Sequence, residues 1–189
     1  MRRLLRSALC AALLAIACAP AAHGHGGASV SYGAGWQLVA GPTGSSVRGA
    51  VGPLYTFQAG DRSYQTLPAS QPLVGGRGYW AFLPSGGTIV TGDGAAPCAA
   101  SVSADQGWVL IGNPSPTHRA IVLDRDQPLA LAEVLVYDAE ARAYRSILRR
   151  IYVEGGPVAE LASADLEPGQ AAWLRLSTDG MVTIDGCTA

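Results

Sequence analysis

The chain has 189 residues, 14% of them charged and 49% hydrophobic, with 13 basic against 14 acidic side chains and a formal net charge of -1. That balance excludes the basic clusters on which binding to nucleic acid or an anionic membrane depends. Every basic residue is an arginine, and scattered arginines build no phosphate site.

The first residues read MRRLLRSALCAALLAIACAPAAHGHGG. Arg2, Arg3 and Arg6 precede an apolar run from Leu9 to about Ala19, and small residues follow, which is the three-part pattern of a secretory signal. Residues 1–24 are therefore expected to be a signal peptide, and the protein to be exported to a periplasmic or extracellular compartment. The run is shorter than the roughly 20 apolar residues that cross a bilayer, so no transmembrane span is expected after signal removal. Cleavage after Ala21 satisfies the Ala-x-Ala pattern, and cleavage after Gly24 would leave His25 first. Leu14-Ala15-Ile16-Ala17-Cys18 resembles a bacterial lipobox with its leucine one place early, which keeps a lipid-anchored envelope protein, held through Cys18, as an alternative. Removing three arginines with the signal leaves the remainder mildly acidic. Of the four cysteines, Cys98 and Cys187 lie beyond the signal, and two cysteines in an oxidising compartment most simply form one disulfide.

An internal repeat organises the rest. Residues 35–42 read GWQLVAGP and residues 107–114 read GWVLIGNP. With Trp36 set on Trp108, Leu54-Tyr55-Thr56-Phe57 falls on Val134-Leu135-Val136-Tyr137, and Arg62 and Tyr64 fall on Arg142 and Tyr144. After a longer gap, Tyr79-Trp80 falls on Ala172-Trp173, Leu83 on Leu176 and Ile89 on Val182. Preserved order over this length indicates a duplicated unit. The first repeat is placed at 35–94, a linker at 95–106 and the second repeat at 107–186. The second is longer by two stretches, His118 to Ala132 and Arg150 to Ser163, read as loops. A Cys98–Cys187 bridge would tie the two unit ends together.

Taken in order, Trp36–Val39, Leu54–Phe57, Ser63–Leu67, Tyr79–Leu83 and Thr88–Thr91 are short, rich in β-branched and aromatic residues and partly alternating, as strands are. Gln58–Asp61 and Pro84–Gly87 read as hairpin turns. The stretch from Ala132 to Arg150 contains good helix formers, and propensity alone favours helix there. Its alignment with the hairpin from Leu54 to Leu67 predicts strand, turn, strand instead. A unit of about 60 residues buries little surface by itself. The expected fold is all-β: two tandem pseudo-repeats of about five short strands each, forming a pseudo-twofold β-sandwich or barrel around a shared core.

The repeated residues resemble a module of exported prokaryotic surface and secreted proteins, built as Gly-Trp-x-Leu-(Ile/Val)-x-x-Pro, a Tyr-centred hairpin and Pro-Gly-x-Gly-Tyr-Trp. The closing element stands here as Val74-Gly75-Gly76-Arg77-Gly78-Tyr79-Trp80 and as Leu166-Glu167-Pro168-Gly169-Gln170-Ala171-Ala172-Trp173. The resemblance implies a noncatalytic, envelope-associated or interaction module whose partner is a protein or carbohydrate at the cell surface. It covers most of the chain beyond the signal, and the second unit lacks its Gly-Tyr pair.

Trp36, Trp80, Trp108 and Trp173 recur at matching places and are read as the repeat core, since indoles bury large area. Ligand stacking is the alternative, with Tyr79, unmatched in the second unit, and Trp80 as the candidate binding platform. Catalytic signatures are missing: no Gly-x-Ser-x-Gly, no His-Glu-x-x-His, no phosphate loop and no calcium loop occurs. Asp124 and Asp126 read as solvated loop carboxylates rather than a glycosidase pair. No cofactor is expected. The sharpest alternative is copper: if processing exposed His25, its amine and ring could join His118 in a three-nitrogen site, making the protein copper-binding or oxidative, and in a looser version His23 and His25 bind metal near the terminus.

Overall fold

In the computed structural model, which describes residues 29–91, 97–124, 131–152 and 160–187, the duplicated phrase forms the same strand twice. The first unit contains β1 (Ser29–Tyr32), β2 (Gly35–Val39), β3 (Ser46–Arg48), β4 (Leu54–Thr56), β5 (Gln65–Leu67), β6 (Tyr79–Leu83) and β7 (Gly87–Val90). The second contains β8 (Ala99–Ala104), β9 (Gly107–Gly112), β10 (Ala120–Asp124), β11 (Leu131–Asp138), β12 (Ala143–Ser146), β13 (Arg149–Tyr152), β14 (Glu160–Leu166), β15 (Ala171–Leu176) and β16 (Gly180–Asp185).

These 16 strands form four small antiparallel sheets set around an axis in a propeller-like arrangement, with no helix among the described residues. The first unit has sheets ordered β1-β7-β3 and β2-β6-β4-β5. The second repeats both orders as β8-β16-β10 and β9-β15-β11-β12, and extends the former with β14 and β13. Registers match too: Leu38 pairs Trp80 as Leu110 pairs Trp173, and Val39 pairs Tyr79 as Ile111 pairs Ala172. The duplication is thus present in topology as well as in letters.

Several expectations are corrected. The segment 95–106 contains a strand, β8, because Ala99–Ala104 alternates along its length and pairs fully with β16. Small Ala and Ser side chains disguise it as linker. The stretch from His118 to Ala132 holds β10, the counterpart of β3, rather than only a loop. Arg149–Tyr152 and Glu160–Leu166 pair as a true addition, absent from the first unit. Pro84–Gly87 closes no hairpin: β6 and β7 belong to different sheets, so this turn carries the chain from one layer to the other. Gln58–Asp61 does close the β4–β5 turn, where the Asp61 N–H donates to the Gln58 carbonyl and the Gln58 N–H to Asp61 Oδ2. The helix-prone stretch is strand, turn, strand, as the alignment requires.

Each unit keeps its own core. Val39, Val47, Leu54, Tyr79, Ala81, Leu83 and Ile89 fill the space between the two sheets of the first. In the second, Val109, Ile111, Val122, Val134, Leu174 and Ile184 belong to the corresponding cluster. A third, smaller cluster of Leu38, Ala40, Leu110 and Ala171 lies between the units. A single shared interior is therefore replaced by two sandwich cores and a seam.

Backbone bonds stitch that seam in a reciprocal pattern. The Ala40 N–H donates to the Gly169 carbonyl at 2.9 Å, and its repeat mate, the Gly112 N–H, donates to the Gly76 carbonyl at 3.0 Å. Bridges Val39–Gln170 and Arg77–Ile111 are likewise mates. So the glycine-bearing turn before the last tryptophan of each unit docks on the first tryptophan strand of the other, which accounts for both halves of the repeated phrase. A Cβ on Gly112 would collide with the Ala40 Cβ and the Arg77 carbonyl oxygen. The Tyr32 hydroxyl adds a tie, donating to the Gly169 carbonyl at 2.6 Å.

Cys98 and Cys187 are disulfide-bonded with Cα atoms 5.0 Å apart. Cys98 precedes β8 and Cys187 follows β16, so the bridge clamps the first and last strands of the second unit and does not join the two unit ends. No helix of the described residues is long and apolar enough to cross a membrane. The expected signal peptide, with Cys18, His23 and His25, lies outside the described residues, as do Arg125 and Asp126.

Candidate functional site

Strand alternation decides where the rings go. Along β6, Tyr79, Ala81 and Leu83 point into the sandwich, while Trp80 and Phe82 take the opposite face. In β2, Trp36 and Leu38 take that same outer face, and Tyr55 does so in β4. On the matching face of the second unit stand Trp108 and Leu110 from β9, Trp173 and Arg175 from β15, Leu135 and Tyr137 from β11 and Tyr144 from β12. These outer faces converge at the seam, where Phe57, Trp80, Tyr137 and Trp173 pack against the Leu38–Leu110 cluster.

Ten aromatic side chains, including all four tryptophans, thereby join two groups of ring contacts, one of seven residues running from Trp36 through Tyr55, Tyr64 and Phe57 to Trp173 and Trp108, with Phe82 on Trp36, and one of three, Trp80, Tyr137 and Tyr144. Two of those contacts cross the seam as repeat mates: Trp80–Tyr137 at 4.8 Å and Phe57–Trp173 at 5.4 Å between centroids. Two open hollows result. One, of about 350 Å³, is lined by Phe57, Tyr64, Trp108, Leu135, Tyr144 and Trp173. The other, of about 460 Å³, is lined by Trp36, Tyr55, Tyr64, Trp80 and Tyr137. Under the repeat alignment each lining position of one maps onto the other, and Tyr64 belongs to both. They are the two halves of a pseudo-twofold aromatic groove.

The tryptophans consequently do not lie inside the sandwiches as expected. Trp36 is 47% and Trp108 37% exposed, while Trp80 and Trp173 are half-buried at the seam. The cores are filled instead by aliphatic residues and Tyr79, with Ala172 at the tyrosine's place in the second unit. Tyr79 is fully buried, and its hydroxyl accepts a hydrogen bond from the Val74 N–H at 3.0 Å, so it offers no platform. Of the two residues proposed for binding, only Trp80 reaches the groove. Tyr64, Tyr144, Phe57 and Tyr137 went unnoticed as site residues. Their signal was present in the repeat: each pair is aromatic in both units.

Edges of the groove carry charge. The Arg175 guanidinium lies 5.8 Å from the centroid of Trp108, at the position where Phe82 meets Trp36 in the first unit, and pairs with Glu133 at 3.7 Å. Beyond Trp36 a third hollow of about 340 Å³ continues between Phe82, Tyr137 and Arg142. Burial pushes the Tyr64 phenol above its ordinary range, Tyr144 beside it adds to the rise, and a hydrogen bond with Trp80 pulls the other way.

Among the described residues no group of three or more His, Cys, Asp or Glu side chains could hold a metal ion. The His118 Nδ1 lies 3.0 Å from Thr117 Oγ1 on the surface, away from the aromatic groove's lining. Comparison with family models, with curated proteins and with solved structures finds no match.

Proposed function

We propose that the protein is a noncatalytic binding module that works outside the cytoplasm and holds an extended ligand in its aromatic groove. One observation carries this reading: both copies of the repeat direct their tryptophans away from the cores and toward a common open face. Large aromatic side chains left in water cost about 25 cal/mol for each Å² of apolar surface that burial would have hidden, and such patches mark interaction sites. The lining presents rings, hydroxyls and indole N–H groups rather than a nucleophile paired with a base.

The leader sequence, the Cys98–Cys187 bridge and the resemblance to exported modules support an extracytoplasmic location. Attachment to the envelope through Cys18 is the alternative to release of the processed chain.

The test is binding of the full chain to a panel of immobilised oligosaccharides and extended peptides, compared with the double variant Trp36→Ala/Trp108→Ala. Retention of a panel member by the wild type and its loss in the variant is expected, with both proteins showing the same near-UV circular dichroism apart from the missing indoles. Equal binding by a folded double variant would refute the assignment of the groove.

A further inference from the structure

The groove offers more hydrogen-bond donors than acceptors. Its two main hollows are lined by rings and Leu135, without a carboxylate or carboxamide. Indoles only donate, while each phenol has one hydrogen to give and an oxygen that accepts, so donors outnumber acceptors. Tyr64 is shared by both hollows.

A sugar presents hydroxyls that must donate as well as accept, and a saccharide in this groove would find only the phenol oxygens to take its many hydroxyl hydrogens. A proline-rich segment has the complementary deficit. Proline has no N–H, and a polyproline II chain makes no internal hydrogen bonds, so its carbonyls seek donors while its rings seek apolar faces. Aromatic-lined grooves are the surfaces such chains dock into. Arginine placement adds direction: Arg142 lines the hollow beyond Trp36, whereas Arg175 at the other end is already paired with Glu133. An acidic group on the ligand therefore fits at the Arg142 end.

We infer that the groove binds an extended, proline-rich polypeptide in the polyproline II conformation, with an acidic residue beside its proline run meeting Arg142. The inference rests on the groove being the ligand site, and it commits to polypeptide over carbohydrate.

Three probes test it on the full chain by tryptophan fluorescence and calorimetry: decaproline, decaproline flanked by two glutamates, and cellohexaose. Both peptides are expected to bind and cellohexaose not to. The glutamates should tighten binding by roughly three- to tenfold at low salt, as expected of a charge pair at an interface rim. Arg142→Gln should erase that gain and leave decaproline binding unchanged. Tyr64→Phe/Tyr144→Phe should weaken both peptides severalfold, because it removes hydroxyl donors while keeping the rings.

Failure of both peptides to bind overturns the inference. If cellohexaose binds instead and Trp36→Ala/Trp108→Ala abolishes it, the polypeptide inference falls and the groove assignment stands. Peptide binding that persists in that double variant overturns both. A glutamate gain insensitive to Arg142→Gln overturns the placement of the acidic residue.

Discussion

Trp80 of the first unit meets Tyr137 of the second edge-on, with ring centroids 4.8 Å apart and planes inclined by 72°. The repeat mate of this pair, Phe57 with Trp173, crosses the same seam in the opposite sense at 5.4 Å. Each half thus lends the other its later tryptophan and leaves its earlier one, Trp36 or Trp108, at the groove. The four indoles form two pairs: Trp80 and Trp173 join the units, while Trp36 and Trp108 lie exposed at the open groove.

That division predicts different costs. Trp80→Ala should lower unfolding stability by about 2–4 kcal/mol, toward the low end for a large aromatic because the ring is only half-buried. Trp36→Ala, removing a ring that is 47% exposed, should cost about 1 kcal/mol or less. Chemical denaturation of the two variants checks the order, and a larger loss for Trp36→Ala would contradict it.

The seam itself is sensitive to a single methyl group. Gly112 sits against Ala40 and the Arg77 carbonyl, both backbone-anchored and unable to swing aside. Gly112→Ala is expected to destabilise by about 1–3 kcal/mol through overpacking, despite the higher strand propensity of alanine. Thermal melts of this variant should also show weaker coupling of the two halves, seen as a broadened or split transition. Ala34→Gly, on the exposed surface, serves as the control.

The disulfide encloses a sequence separation of 89 residues, nearly the whole second unit. Cys98→Ser/Cys187→Ser should therefore cost about 2–4 kcal/mol, mainly by freeing the unfolded chain. Because the bridge lies within the second unit, the β8–β16 edge should lose hydrogen-exchange protection first, and the first unit should change little. Uniform loss over both units would argue against this placement.

Alkaline pH should loosen the fold through its tyrosines. Burial raises the phenols of Tyr32, Tyr79 and Tyr64 above the ordinary 10.0. A group whose pKa is raised on folding keeps the native state protonated longer than the unfolded one, so its stabilisation is complete below pH 10.0 and falls as pH rises further. Denaturation midpoints should be flat with respect to these groups up to that pH and then decline. Tyr32→Phe should lower stability at neutral pH by removing the bond to Gly169, yet make the alkaline decline shallower.

The repeat was legible because both units keep Gly-Trp, the aromatic hairpin and the final tryptophan in register. So were the all-β class, the disulfide and the hairpin at Leu131–Ser146 that propensity alone would have made a helix. Some strands escaped because their residues carry no strong pattern, β3 with three residues and β8 built of Ala, Ser and one Val, whereas β10, with its Ile121-Val122-Leu123 run, escaped because the alignment set its stretch aside as an insertion. More consequential was the direction of the tryptophans. Composition says that an indole rewards burial, but in a strand the pleat fixes which neighbour shares its face. Trp80 lies between Tyr79 and Ala81, and only one of the two faces could enter the sandwich. Reading alternation along Tyr79–Leu83, where Tyr79, Ala81 and Leu83 form one face, leaves Trp80 and Phe82 on the other. The groove was further hidden because it exists only once two sheets distant in sequence converge.

Replacing one tryptophan at a time by phenylalanine, and recording which emission disappears, tests most directly whether the rings face outward. Loss of Trp36 or Trp108 should remove a red-shifted component that acrylamide quenches readily, and loss of Trp80 or Trp173 a bluer, better-protected one. Four equally blue, equally shielded tryptophans would place them in the sandwich interiors and contradict the groove.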